Sequence, residues 1–299
     1  MNPYRITVFT PTFNRAYCLE RAYRSLCRQE YKDFEWLIID DGSSDNTKIL
    51  VEKWIEEALI PIRYIYQSNQ GMHGAHNTAF RNIESELCIC LDSDDMLTDD
   101  CLSEVISYWD KHTEVHNEVA GIMGLDGYMD GSLLGSSFPD GMTMAVDGWL
   151  REIANMKGDK KLVYRTAVAK EVPEYPVFED EKYGSMGFKS LHINQKYPWL
   201  LLPKIIYLVE YQDDGSTRNM FKEYRRALKG WDLMRKLEMK HCILFKTRFI
   251  KAIHYVSNSI FLHKWNFISD SPCKLLTCLA VPMGITLNLL VRIKTSRKS

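Results

Sequence analysis

Paired cysteines are missing from this 299-residue chain. Its eight Cys are scattered, with no CxxC pair. That argues against a structural zinc site and against a secreted, disulfide-built fold. Cys88, Cys90 and Cys101 fall in or beside element interiors, where free Cys acts as a small hydrophobe. A reduced, cytosolic setting is the expectation. No signal-peptide pattern opens the chain, since Met1-Asn2-Pro3-Tyr4-Arg5 leads directly into a strand-like run. Internal repeats and low-complexity tracts are missing as well, which excludes solenoids and disordered stalks. What is there is ordinary for a globular chain: 45% hydrophobic and 26% charged residues. The length suits one large domain, or one domain with an appendage.

A strong net charge is also missing, but the formal value of −1 hides an asymmetry. Residues 221–299 carry 16 Lys+Arg and 4 Asp+Glu, a net of +12, against −13 for residues 1–220. The body is acidic and the tail basic. The tail is also rich in Leu, Phe and Trp, so it does not read as a nucleic-acid groove. One long apolar run exists, Leu275–Val291, with 17 residues and no charge. It is just short of the roughly 20 residues that span a bilayer. Pro282 and Gly284 interrupt it, and Arg292, Lys294, Arg297 and Lys298 follow. It reads as a short spanning helix, a surface-lying segment or a core helix. Its basic flank and the nearby Phe261, Trp265 and Phe267 favour the membrane interface.

Over the first 125 residues, strand-like and helix-like patterns alternate. Strands are expected at Ile6–Thr10, Trp36–Asp40, Arg63–Tyr66, Leu87–Asp92 and Val119–Met123. Helices are expected at Tyr17–Gln29, Asn46–Ala58, His73–Ile83 and Asp99–Lys111. Such alternation implies βαβ units and a mostly parallel sheet flanked by helices. From 126 to 215 the pattern breaks down. Pro173, Pro176, Pro198 and Pro203 punctuate it, and only short strands are expected, near Leu162–Tyr164 and Ile205–Glu210. The spacing of Phe221, Tyr224, Leu228, Trp231, Met234 and Leu237 predicts a helix over 221–240.

The apolar run Leu87–Leu91 ends abruptly in Asp92-Ser93-Asp94-Asp95. This reads as a buried strand delivering carboxylates to the edge of a parallel sheet, where α/β proteins bind ligands. Asp92 and Asp94 are two apart, so on an extended strand both face one side. Adjacent carboxylates repel, and a hard divalent ion relieves this while holding phosphate oxygens on its far side. The alternative is a solvated Asp-rich turn, with Asp99 or Asp100 capping the next helix. Three further loops end predicted strands at the same edge: Thr10-Pro11-Thr12-Phe13-Asn14-Arg15, Asp40-Asp41-Gly42-Ser43-Ser44-Asp45 and Asn69-Gln70-Gly71-Met72-His73-Gly74. Singly each is turn chemistry. Together they describe one polar crevice.

These motifs, with Ala75-His76-Asn77, resemble in order and spacing the family-2 glycosyltransferases across residues 1–125. The segments Tyr164-Arg165-Thr166 and Glu210–Thr217 look like a bacterial subgroup that builds surface polysaccharides. The resemblance implies a GT-A fold over 1–220, with nucleotide-sugar binding in 1–125 and an acceptor-side region in 126–220. A helical, membrane-associating segment over 221–299 would follow. It implies a nucleotide-sugar donor, commonly a UDP-sugar, and Mn²⁺ or Mg²⁺. Pro11 and Thr12 would line the nucleotide pocket, with Asn14 and Arg15 nearby. Asp41 would accept a hydrogen bond from the base. Gly71, His73 and Asn77 would lie beside the ribose and donor sugar. Asp92 and Ser93 would contact the donor, Asp94 would hold the metal, and Asp95 would orient the sugar or support the metal shell. The acceptor would be a saccharide, free or lipid-linked, met at the inner face of the cell membrane.

Inverting transfer also needs a carboxylate to take the acceptor proton. The family places it in an acidic pair after the sheet region, and Glu179-Asp180, followed by Glu181, fits. The subgroup reads Glu-Lys-aromatic-x-Pro-Glu here, whereas this chain reads Glu181-Lys182-Tyr183-Gly184-Ser185-Met186. Met186 then occupies the last acidic position, so Asp180 leads as base, with Glu179 and Glu181 beside it. Two other readings stand against this one. A phosphotransferase of the DxDx(T/V) kind would want Thr or Val where Met96 stands. A catalytically weak nucleotide-sugar-binding scaffold would tolerate Met186.

Overall fold

The computed structural model describes residues 4–181, 184–210 and 224–296. Tyr211–Thr217 and Phe221 of the expected motifs lie outside them. The chain divides into two compact units. One is Met1–Tyr175 with His192–Gln212, and the other is Pro176–Leu191 with Asp213–Ser299.

The first unit is built on strands β1 (Ile6–Thr12), β2 (Phe34–Asp40), β3 (Ile62–Tyr66) and β4 (Leu87–Cys90). They alternate with helices α1 (Leu19–Cys27), α2 (Thr47–Glu57), α3 (Gly71–Asn82) and α4 (Cys101–Asp110). Every residue of β2 is buried, which is why Trp36–Ile39 within it is continuously apolar rather than alternating. Helix α1 turns Leu19, Ala22, Tyr23 and Leu26 inward at three- and four-residue steps. Tyr23 stacks on Trp54 of α2 with ring centroids 4.3 Å apart, and Trp54 on Trp36 of β2 at 5.8 Å. These rings close one side of the core.

Further strands follow: β5 (Met96–Leu97), β6 (Gly121–Tyr128), β7 (Met144–Ala145), β8 (Lys160–Arg165) and β9 (Trp199–Val209). The sheet order is β3-β2-β1-β4-β8-β6-β9-β5, with β7 paired to β9. Strands β1 to β4 are mutually parallel, as the alternating pattern predicts. The rest is mixed, because β8 runs antiparallel between β4 and β6, and β9 returns parallel to β6. The region after 126 is thus more ordered than expected. Pro203 punctuates the sequence without ending β9. The β6–β9 register passes from Gly124↔Leu202 to Leu125↔Ile205, so Pro203 and Lys204 sit in a bulge where no ladder N–H is required.

The second unit contains the helices Leu228–His241, Phe245–Phe261 and Lys274–Ser296. The first begins at Leu228 after a break at Ala227, which leaves helical geometry (φ −129°, ψ 45°); residues 224–226 before it are helical, and 221–223 of the expected helix lie outside the described residues. Met239, Ala252, Tyr255, Val256 and Ala280 form the shared core. The charge-free run lies inside the 23-residue last helix, which is long and apolar enough to cross a membrane. One stripe of it, Thr277, Ala280, Gly284, Asn288 and Val291, is buried. Asn288 Nδ2 donates to the Ser257 carbonyl at 3.0 Å, and a Cβ on Gly284 would meet the Val256 side chain at 2.5 Å. The opposite stripe, Leu275, Leu279, Met283, Leu289, Leu290 and Ile293, is exposed.

Candidate active site

Parallel pairing brings the ends of β1, β2, β3 and β4 to one sheet edge, so the four polar loops converge as the sequence implied. Pro11 lies in β1 opposite Ile39, beyond the point where β4 pairs, so β1 there has one neighbouring strand. Thr12 is 3% exposed and its hydroxyl has no hydrogen-bond partner, a buried polar group awaiting one. Asn14 takes a left-handed conformation (φ 53°). Its Oδ1 accepts the Ser44 N–H at 2.8 Å, and its own N–H donates to Ser43 Oγ at 2.8 Å. The first loop is thereby laced to the second. Arg15 contacts Tyr17, with its guanidinium 5.6 Å from the ring centroid.

Asp41 is buried and accepts hydrogen bonds from Gln67 Nε2 (2.7 Å), Gln70 N–H (2.8 Å) and Gly71 N–H (2.7 Å). It therefore fixes the third loop. Gly71 has φ +79°, a conformation that favours glycine, where this loop turns into α3. His73 is 6% exposed and stacks on Tyr175, with centroids 4.9 Å apart. Asn77 uses its amide internally: Nδ2 donates to the Tyr175 carbonyl and Oδ1 accepts the Tyr175 N–H, both at 2.8 Å. It thereby clasps residue 175 at the edge of the crevice.

The acid run differs from the expected strand end. Strand β4 stops at Cys90, and Asp92–Asp95 form a turn in which the Asp95 N–H reaches the Asp92 carbonyl at 3.2 Å. The reason is the ladder: β1 pairs with β4 only as far as Phe9↔Cys90, with one further bond from Leu91 N–H to the Phe9 carbonyl. Asp92 and Asp94 therefore do not share a strand face. Asp100 flanks α4 without a side-chain cap bond, so the capping alternative is not what shapes the run.

Tyr207 of β9 organises the turn. Its hydroxyl oxygen accepts the Asp92 N–H at 3.0 Å, and lies 3.0 Å from Asp92 Oδ2 and 2.9 Å from Asp95 Oδ2. A phenol has one proton to give. Burial, followed by the charge of Asp92, pushes the Asp95 carboxyl up to about 8. The phenol's one proton is shared between the Asp92 and Asp95 carboxylates, both of which accept from it. Burial raises Asp92 too, but Lys161, His76 and the hydrogen bonds from Tyr207 and Cys90 outweigh it and hold Asp92 below its ordinary value. Ser93 is buried at 8% exposure, and the Asp94 carbonyl accepts from Arg21 Nη1 at 3.0 Å.

Three residues that sequence reasoning missed complete the cluster. Lys161 of β8 places Nζ 3.7 Å from Asp92 Oδ2 and 3.4 Å from the Tyr207 ring centroid. Burial lowers its affinity for the proton, but the acids, Asp92 first, more than reverse this. Asp126 of β6 is 4% exposed, its Oδ1 is unpartnered, and burial pushes it up to about 6. The signal for Lys161 was a lysine heading the apolar run Leu162-Val163-Tyr164; for Tyr207 and Asp126 there was none.

The donors of the acid run are all oxygens, which suits a hard divalent ion. Among the described residues, no three His, Cys, Asp or Glu side chains converge to hold an ion unaided. One or two carboxylates completed by a ligand's phosphates is the usual Mg²⁺ arrangement, so the residues present fit.

Glu179, Asp180 and Glu181 belong to the second unit. Glu181 is 9% exposed, and its carboxylate accepts the backbone N–H groups of Lys229 (2.6 Å) and Gly230 (2.9 Å) at the start of Leu228–His241. It is a helix-terminus cap. Asp180 is exposed, and both its oxygens lie 2.6 Å from Lys229 Nζ; that hydrogen bond holds its carboxyl below the ordinary value. Glu179 is exposed, and Met186 is half-buried.

Comparison with known proteins agrees with this geometry. Residues 7–129 match the model of "Glycosyl transferase family 2". An uncharacterized glycosyltransferase of Nostoc sp. is 32% identical over 128 residues, 43% of this chain and 38% of that protein. The GalNAc(5)-diNAcBac-PP-undecaprenol beta-1,3-glucosyltransferase of Campylobacter jejuni is 26% identical over 228 residues, 74% of this chain and 71% of that protein. The match thus spans well under half of the Nostoc relative's length. Among solved structures, S. aureus TarS 1-349 in complex with UDP-GlcNAc superposes with a TM-score of 0.65 at 17% identity, covering 98% of this chain and 92% of that one. The fold is GT-A, and residues 7–129 match the family-2 glycosyltransferase domain.

Proposed function

We propose that the chain is a metal-dependent, inverting glycosyltransferase of bacterial surface-polysaccharide synthesis. It moves a sugar from a UDP-sugar to a hydroxyl of a lipid-linked saccharide. The observation that carries the reading is the convergence of Thr12, Asp41, Gly71 and Asp92–Asp95 at the carboxyl ends of four parallel strands. In this reading Thr12 gives its unpartnered hydroxyl to the nucleotide. Asp41 keeps the base-side loop in shape and offers the base an acceptor. Asp92 and Asp95, held through Tyr207, face the ribose and donor sugar. Asp94 holds Mn²⁺ or Mg²⁺, whose chemistry when bound is to neutralise charge on the departing diphosphate.

The base is drawn from Glu179 and Asp180, with Asp180 leading. Glu181 is committed to two backbone N–H groups, whereas the partner of Asp180 is an exposed lysine side chain that can swing away. The Asp180 carboxylate would take the acceptor proton as the hydroxyl attacks the anomeric carbon from the face opposite the diphosphate. Met186, where a carboxylate was expected, favours a second reading: a nucleotide-sugar-binding scaffold with little activity.

The tail supports a membrane-bound acceptor. Its last helix is packed on one stripe and apolar on the other, beside basic residues including Lys274, Arg292 and Lys294. This is the pattern of a helix lying in the membrane interface rather than crossing it. A crossing would take the packed partner helix Phe245–Phe261, with Lys246, Arg248 and Lys251, into lipid. A thermal-shift screen of UDP-, GDP- and dTDP-sugars with and without Mn²⁺ tests the donor reading, because a ligand that binds the folded state raises its stability. Slow release of free sugar from the best donor separates enzyme from scaffold. No shift with any nucleotide sugar would sink both readings.

A further inference from the structure

The ammonium group of Lys161 is part of none of the roles assigned above, and its position is costly. It lies on β8, its backbone opposite Gly124 of β6, and its side chain is 12% exposed. Its neighbour Lys160, facing the other way as strand alternation requires, anchors Nζ on the carbonyls of Lys157 and Asp159 at 3.0 Å each. Lys161 has turned inward instead, over the Tyr207 ring and towards Asp92. Withdrawing an ammonium from water costs several kcal/mol unless anions compensate. A Leu or Met would pack on a tyrosine ring without that cost. What a lysine adds is a fixed positive charge among Asp92, Asp95 and Asp126, with Asp92 two residues before the candidate ion ligand Asp94.

A resident cation there has a consequence for any mobile one. Like charges repel, and in a partly buried pocket the repulsion is little screened. With Lys161 already compensating Asp92, the acid turn has less negative charge to offer a divalent ion at Asp94, and the ion is held once phosphate anions supply the balance. We propose that Lys161 is a positioning residue that makes metal binding conditional on the nucleotide. It neutralises and orients Asp92, keeps the acid pocket from retaining a divalent ion by itself, and so couples uptake of the ion to uptake of the diphosphate. This rests on the metal reading of Asp94.

Calorimetric titration tests it with two probes, MnCl₂ alone and UDP in the presence of Mn²⁺, on the full chain. In Lys161→Met and Lys161→Gln, Mn²⁺ alone should bind at least about fivefold more tightly. UDP should gain less from Mn²⁺ than it does in the wild type. Lys161→Arg keeps the charge and should restore both wild-type values. A packing defect predicts the opposite sign, weaker Mn²⁺ binding in every variant. Equal or weaker Mn²⁺ binding in the folded neutral variants overturns the proposal. So does failure of both neutral variants to fold while Lys161→Arg folds, since Lys161 is then a structural ion-pair partner. Asp94→Asn separates this inference from the reading beneath it. If it abolishes Mn²⁺ binding while Lys161→Gln leaves that binding unchanged, the conditional role fails alone. If Asp94→Asn binds Mn²⁺ as the wild type does, both fail.

Discussion

The carboxylate of Asp41, at the end of one strand, accepts the backbone N–H of Gly71 at 2.7 Å, at the start of a helix thirty residues on. With the bonds from Gln67 and Gln70 it ties two ligand-bearing loops into one body. Asp41→Ala should therefore lose on two counts. Three buried donors lose their acceptor, at about 1–3 kcal/mol for a buried group left unsatisfied, so thermal stability should fall. UDP affinity should fall as well, while the stimulation of binding by Mn²⁺ persists. Differential scanning fluorimetry and calorimetry read the two effects separately. Full stability in the variant would contradict the loop-tying role.

Asp94→Asn should do the reverse. The side chain stays similar in size, so the fold should hold. One negative charge leaves the ion site, so Mn²⁺-dependent donor binding should weaken markedly. Unchanged, metal-dependent affinity in this variant would remove Asp94 from the site.

The acidic trio should divide by role. Asp180→Asn should cut transfer by about 10²–10⁴-fold with donor affinity intact, the usual loss for a positioned base. Glu181→Gln should act on stability, because it weakens the hold on two backbone N–H groups at a helix start. If Asp180→Asn transfers at the wild-type rate and Glu179→Gln does not, the base is Glu179.

Asp126 gives a pH signature. Its folded carboxyl titrates near 6, above the ordinary 3.8. A raised carboxyl means that the folded state binds its proton more tightly than the unfolded chain does. Its ionisation therefore costs stability, progressively from about pH 4 to pH 6, and the full cost remains above that. Asp126→Asn should lift the melting temperature at pH 8, with a gain that shrinks to nothing by pH 4. The gap of about two pH units sets an upper scale near 3 kcal/mol. A gain independent of pH would point to packing instead of charge.

The exposed stripe of the last helix should be what meets lipid. Leu279→Asp with Leu290→Asp should abolish flotation with anionic liposomes and leave UDP affinity unchanged. A chain ending near Lys240 should behave likewise. Binding retained by the double variant would move the contact elsewhere.

Much of this was legible in the sequence where the physics is local. Helix periodicity, buried apolar strands and loops ending in Asp, Gly and Asn placed the parallel half of the sheet and its ligand edge. The strand was expected to run to Asp92, but β4 leaves β1 at Cys90 although β1 itself continues to Thr12, and nothing within 87–92 marks that departure. Lys161, Asp126 and Tyr207 reach the site through antiparallel and crossover pairings from well along the chain, and no spacing rule links them to Asp92. The clasp of Asn77 on residue 175 is hidden for the same reason: the motif gives the asparagine but not what its amide holds. Pro203 misled in the other direction, since a bulge lets a proline sit inside a long strand.

One detail of the last helix has a practical side. Of the eight thiols, Cys278 is the exposed one, and it lies beside Leu275 and Leu279 on the open stripe, while Cys18, Cys88 and Cys101 are buried. The protein therefore carries its own footprinting probe. In solution a water-soluble maleimide should reach Cys278 first, and on a vesicle the same thiol should be shielded. Labelling rate thus becomes a direct gauge of docking in the unaltered chain, at any salt concentration or lipid composition.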